Sequence, residues 1–309
     1  MAAWARLRAR APKVLKSKRW RWTGAALAVV IALTVGGYTL FHRARPYLQG
    51  SSCEVQTTLG KMPLDLEQGA NAATIAAVAF RKQLPERAAV IAYATAIQES
   101  RIRNLPDGDR DSVGMFQQRP SQGWGSPEKL RDPVQSTSKF YDALVKVKDY
   151  LDRDLHDAAQ IVQRSADGDA YAQHEPDGKL LARAFTGREA SSVRCWFTPK
   201  KKTAPRRTEA LREMRRAFGG RLQLDAPQAA LPKSKNQAMA QPSAGARAYD
   251  AVKVTNARTG WAVATWTVTH AQAYGLTEIR HGGKRWHAGS GHDGWTPDPK
   301  APANRVIIR

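Results

Sequence analysis

Acidic residues are scarce in this chain of 309 residues: 27, against 49 lysines and arginines, for a formal charge of +22. The shortage is uneven. Residues 1–22 hold no acid and eight basic residues: Arg6, Arg8, Arg10, Lys13, Lys16, Lys18, Arg19 and Arg21. Long apolar runs are also scarce. Thr23 to Phe41 is an apolar stretch of nineteen residues without a charge, and a single span cannot build a transport pathway, which excludes channels and transporters. No internal repeat is present. No recognition motif accompanies the basic charge, which excludes nucleic acid as a partner. Cysteine is reduced to two residues, Cys53 and Cys195.

Nineteen helical residues at 1.5 Å rise nearly cross a hydrocarbon core of about 30 Å. Trp20, Trp22 and Tyr38 stand near the ends of this run, where amphipathic rings favour the headgroup level. The heavier basic flank is N-terminal, which places the N-terminus in the cytoplasm and the rest outside. A cleavable signal peptide is the rival reading, and His42-Arg43-Ala44-Arg45 is a poor cleavage site for one. The expectation is a single-pass cell-membrane protein with a basic cytoplasmic tail over 1–22, an anchor over 23–41 and extracytoplasmic domains. In an exported domain an even pair of cysteines reads as a disulfide; two separate buried thiols are the alternative.

Beyond the anchor, three regions follow. Residues 51–197 read as mostly helical: Leu66 to Leu84 before Pro85, Arg87 to Ser100, Pro133 to about Leu151 behind the N-cap Asp132, and a short helix from Asp154 through Val162. Asn104 to Arg131, rich in Gly, Pro, Asp and Ser, is a loop long enough to be functional. Residues 198–245 read as a basic flexible linker in which Thr208 to Phe218 has helical character. Its charge suits anionic wall polymers or lipid headgroups, or serves a solvated spacer. Residues 246–309 read as a small α+β module: a helix from Thr259 to Tyr274 ended by Gly275, a hairpin turning at Gly282-Gly283, and a last strand at Arg305 to Ile308.

Glu99 ends the apolar run Ala88 to Ile97. A carboxyl at the tip of a greasy helix has one wall of hydrocarbon and one open side. Desolvation then favours its protonated form, which is what glycosidic cleavage needs in a general acid. Gly114-Met115-Phe116-Gln117-Gln118 follows in the loop. Glu99-Ser100 and Gly114-Met115-Phe116-Gln117 together resemble the paired motifs of the lysozyme-like superfamily, specifically its soluble lytic transglycosylase branch, over about Met62 to Cys195. The resemblance implies a mainly α lysozyme-like domain after one transmembrane helix, with the small α+β module behind it. It implies peptidoglycan as partner and substrate, no cofactor, no metal, and Glu99 as acid and then base. The sugar's own C6 hydroxyl would attack C1 and leave a 1,6-anhydro end.

For substrate contacts the motif positions nominate Ser100, Gly114, Gln117 and Gln118. Ser100 also reads as a plain helix-end hydroxyl. Trp124 reads either as a sugar-stacking ring or as loop packing. The family's later aromatic-Asn pair is missing: Gln163 stands in its place, and Tyr171 is the aromatic that would supply the ring. Asp107, Asp109 and Asp111 keep open a hydrolytic route through an activated water.

The last module resembles, more weakly, zinc peptidase-like domains. Arg247-Ala248-Tyr249-Asp250, Trp261 and Gly294-Trp295 carry the resemblance, and Asp250 matches the family's Asp. The terminal His-x-His is missing from Asn304 to Ile308. His270, His281, His287 and His292 have no ligand spacing, so a non-catalytic module is expected. A non-catalytic wall-binding or scaffold protein is the alternative to the enzyme.

Overall fold

The computed structural model describes residues 27–41, 50–165, 169–198, 204–220, 222–224 and 249–309. The basic tail over 1–22, the first residues of the expected anchor with Trp20 and Trp22, much of the expected linker, and Arg247-Ala248 lie outside the described residues. Two units divide the chain, 1–49 and 50–309.

In the first unit, the described residues 27–41 are helical, labelled α1. No helix among the described residues is long and apolar enough to cross a membrane, and this corrects the expectation of a transmembrane helix.

The second unit opens with β1 (Ser52–Thr57) and β2 (Gly60–Leu64), paired antiparallel. Asp65 then starts α2 (Leu66–Arg81) through a reciprocal cap: its carboxylate accepts from the Gln68 N–H while the Gln68 side chain accepts from the Asp65 N–H, which satisfies two orphan donors. Next come α3 (Glu86–Ser100), the short α4 (Pro127–Leu130), α5 (Pro133–Leu144), α6 (Leu155–Gln163) and α7 (Glu175–Phe185). Asp132 caps α5 by accepting from Val134 and Gln135. Strand β3 (Val193–Trp196) closes this stretch by pairing with β1 in the register Cys53 to Cys195, where the disulfide forms. The three-stranded sheet β2-β1-β3 was not read from the sequence. Its strands come from opposite ends of a segment read as helical.

After β3 come α8 (Arg207–Phe218), β4 (Gln223–Leu224), β5 (Asp250–Lys253), α9 (Ala257–Thr269), α10 (Ala271–Tyr274), β6 (Glu278–His281), β7 (Lys284–His287), β8 (Thr296–Pro297) and β9 (Arg305–Ile308). The strands form one antiparallel sheet in the order β4-β5-β9-β6-β7-β8. Gly282 and Gly283 sit at φ +55° and +74°, the conformation a tight two-residue hairpin demands.

Helices carry about half of the described residues, beside two antiparallel sheets. This corrects the expected fold class of a mainly α domain plus a small appended module. The physical reason is α9. Thr259 through Thr269 are buried without interruption, so the helix needs cover on every side. It receives that cover from α2, α7 and β3 as well as from β6 and β9. Trp286 donates its indole N–H to the Cys195 carbonyl at 3.2 Å, and Trp295 donates to Val193 at 2.9 Å. Inside the stretch read as linker, α8 packs against α2, with Phe218 edge-on to Phe80 at 5.6 Å. Two predicted helices are also shorter than expected. α5 stops at Leu144, and Val145 and Leu151 are exposed. The helix expected over 259–274 breaks at His270 into α9 and α10.

Candidate active site

Helix α3 is buried along ten of its fifteen residues, mostly alanines with Val90, Ile91 and Tyr93. Small residues let α7 approach closely: a Cβ on Gly178 would stand 2.8 Å from the Val90 carbonyl. The helix is partly exposed at both ends, at Glu86 and Arg87 and again at Ile97, Gln98 and Glu99. Glu86 is paired with Arg188 and Arg258, whereas Glu99 is the carboxyl on the C-terminal turn.

Burial raises the Glu99 pKa above its ordinary value, the largest influence on it. Two hydrogen-bond donors pull the other way, Tyr171 and Gln163. The Tyr171 hydroxyl donates to Glu99 Oε1 at 2.7 Å, and its ring is 2 % exposed. It comes from a 3-10 turn, Asp169–His174. The sequence nominated Tyr171 as an aromatic for the sugar; the structure places it on the acid.

The backbone turns sharply just after the acid. Arg101 and Ile102 both adopt left-handed conformations, φ +54° and +62°, which non-glycine residues hold only against strain. Side chains of α2 secure the turn. Gln68 donates to the Arg101 carbonyl and Asn71 to the Ile102 carbonyl, each at 2.8 Å, and Glu67 accepts from the Asn104 N–H at 2.8 Å.

The loop segment 114–118 lies beside α3 through contacts to its carbonyls. Ser100 donates to Met115 at 2.8 Å, and Gln163 donates to Phe116 at 2.6 Å. The Phe116 ring stacks on Phe140 with centroids 4.5 Å apart. Gln118 is buried and donates to the Ser136 carbonyl at 3.3 Å. Gly114 has φ +80°, and a Cβ there would stand 2.3 Å from the Leu130 carbonyl, so glycine is required by the chain itself. Gln117, at φ +45°, is half-buried and donates to the Gly114 carbonyl at 3.0 Å. Trp124 is partly buried against the core. Of the nominated substrate residues, Ser100 and Gln163 thus donate to the loop backbone and Gln118 to the backbone of α5. Gln117 and Trp124 keep surface toward solvent.

Among the three loop aspartates, Asp111 is committed. Arg119 donates to it at 2.8 Å and the Ser121 N–H at 2.7 Å, and these donors, the Ser121 amide foremost, hold its carboxyl well below the usual carboxylate range. Asp107 and Asp109 are exposed.

A groove of about 490 Å³ adjoins the acid's helix end, between β2 and the 169–174 turn. Gln98, Arg101, His174 and Asp177 line it, with His174 Nε2 and Gln98 Oε1 2.8 Å apart. Sequence reasoning stopped at Glu99 and passed over its neighbour Gln98. Its place on the same open turn was the available signal.

The four C-terminal histidines do not converge. His270 stacks on Trp266 at 3.8 Å, and burial pushes it down to about 4. His281 lies buried with Nδ1 3.1 Å from the Arg305 carbonyl. His287 accepts from the Gly289 N–H at 3.0 Å, and His292 packs edge-on to Trp196. Asp250 pairs with Arg207 at 2.9 Å. The chain matches no protein-family model and no curated protein.

Proposed function

We propose that this chain cleaves peptidoglycan glycan strands, with Glu99 first as general acid and then as base. One observation carries the reading: a carboxyl whose pKa burial raises, gripped on one oxygen by Tyr171, on the partly open C-terminal turn of a helix whose middle is buried. The Tyr171 hydroxyl holds Oε1, and the protonated carboxyl passes its proton to a glycosidic oxygen. After the bond breaks, the carboxylate accepts the proton of the attacking hydroxyl.

Within that reading, the intramolecular route to a 1,6-anhydro end is the better supported. An inverting hydrolase needs a second carboxylate as base. Asp111 is held ionised by Arg119 and Ser121, which spend its oxygens on the loop. The Cys53–Cys195 disulfide suits an oxidising compartment outside the cytoplasm, where the wall lies.

Digestion of purified peptidoglycan by the full oxidised chain, read by mass spectrometry of the soluble products, tests the proposal. Anhydro-ended muropeptides from the wild type and none from Glu99→Gln are expected. Reducing ends would assign a hydrolase and redirect attention to Asp107 and Asp109. Binding to the wall with no release by either protein would replace the enzyme with a wall-binding protein.

A further inference from the structure

The six-stranded sheet has two unlike faces. Strand alternation turns Ile279, His281, Val306 and Ile308 inward, where they are buried beneath α9. The opposite face is cationic. Arg280 of β6 stands directly across from Arg285 of β7, and Lys253 of β5 across from Arg305 of β9. Like charges directly opposite on a sheet face repel, and here ion pairs offset part of that repulsion, Arg280 with Asp298 and Arg285 with Glu278.

These strands and the turn after β8 enclose a groove of about 410 Å³. Arg280, Lys300, Arg305 and Arg309 wall it, Tyr249 stands at one side, and Ile307 forms part of its floor. No carboxylate lines it among the described residues. The two nearest acids orient cations: Asp298 accepts from Arg280 at 2.6 Å, and Glu278 pairs with Arg309 at 3.3 Å. Arg305 opens β9 and Arg309 directly follows its last residue, about 13 Å away along the extended chain. The cations thus run along the strand as well as across it.

We propose that this groove docks a linear phosphodiester polymer of the kind that accompanies glycan strands in a cell wall. Planar guanidiniums in a row match phosphate oxygens. A concave groove admits a single extended chain and not a bilayer surface. Its one exposed aromatic, Tyr249, is no stacking platform for single-stranded nucleic acid. The wall as the polymer's source rests on the reading of Glu99; the groove's charge and shape do not. Docking here would hold the enzyme at its substrate through a site separate from the acid.

The test measures binding of the full oxidised chain to a fluorescent poly(glycerol phosphate) by anisotropy, for the wild type and for Arg285→Gln/Lys300→Gln/Arg309→Gln. All three side chains are solvent-exposed, and Lys300→Gln alone serves as the milder second variant. The basic N-terminal tail is common to every protein compared, so it cancels in the ratio. Expected are at least about a tenfold loss of affinity in the triple variant, a salt slope shallower by about two, and a partial loss in Lys300→Gln. Binding within about twofold of wild type in the triple variant would overturn the proposal. So would variant-sensitive binding that is tighter for phosphatidylglycerol vesicles or single-stranded DNA than for the polymer. Groove-dependent polymer binding in a protein that releases no muropeptides would uphold the groove and overturn the Glu99 reading alone.

Discussion

The Glu99 end of the molecule and the C-terminal sheet handle awkward backbone and awkward side chains in opposite ways. Around the acid, left-handed conformations fall not only on Gly114 but also on four residues other than glycine, Arg101, Ile102, Gln117 and Arg164. From residue 249 to 309 every positive φ falls on a glycine, at 275, 282, 283 and 294. The first region therefore stores strain next to its carboxyl, as functional sites do, and the second avoids it. The titrating groups differ in sign as well. Glu99 is a buried acid whose pKa burial raises, whereas His270 is a buried base whose pKa burial lowers. In one region desolvation falls on a turn whose neighbours line a groove; in the other it falls on a ring stacked against aromatic side chains. The same physical effect, desolvation, raises the pKa of an acid in one place and lowers that of a base in the other.

Substitutions can break that contrast. The largest effect is expected from Glu99→Gln: glycan cleavage falls about a thousandfold or more, while thermal stability rises. The sign follows from linkage. With the folded pKa above 4.5, the native state binds more protons than the unfolded chain between those values, so stability falls as pH rises through that window. The stability gain of the variant should therefore be larger at pH 7 than at pH 4, by calorimetry at both. His270→Phe reverses the dependence. The native state binds fewer protons between pH 6.5 and about 4, so the wild type loses stability as pH falls through that window, by about 3 kcal/mol in all. Denaturant unfolding of the variant should show that acid-side loss removed and cleavage untouched. The smallest effect is Arg101→Gly. The side chain is exposed, and relief of its left-handed conformation should stabilise the chain by about 1 kcal/mol. A fall in cleavage beside that gain would show that the strain positions the acid.

Local features were legible before the structure. The apolar helix ending in Glu99 announced a carboxyl with one dry wall. Cys53 and Cys195 paired as their even count suggested, and Gly282-Gly283 marked the hairpin that β6 and β7 form. What escaped was non-local. Strand β1 reads weakly on its own, because its partner β3 lies more than a hundred residues away, and no periodicity within either strand records the other. The continuous burial of α9 was visible as alanine, valine and tryptophan, but the sequence does not say that α2 and β3 supply the cover. Of the uncharged run read as an anchor, only 27–41 lies among the described residues, and no helix among them is long and apolar enough to cross a membrane. At the site, Ser100, Gln118 and Gln163 were assigned outward to a sugar. The carbonyls of Met115, Ser136 and Phe116 claim their donors instead, a competition that only the loop's path reveals.

The pH profile of kcat/KM on peptidoglycan, for wild type and Tyr171→Phe, tests most directly whether Glu99 acts as a protonated acid tuned by its neighbours. Tyr171 stabilises the carboxylate through its 2.7 Å hydrogen bond. Its loss should raise the Glu99 pKa further and move the alkaline limb of the profile upward, with the maximal rate reduced about tenfold. An alkaline limb that stays in place in Tyr171→Phe, or moves down, would contradict the assignment.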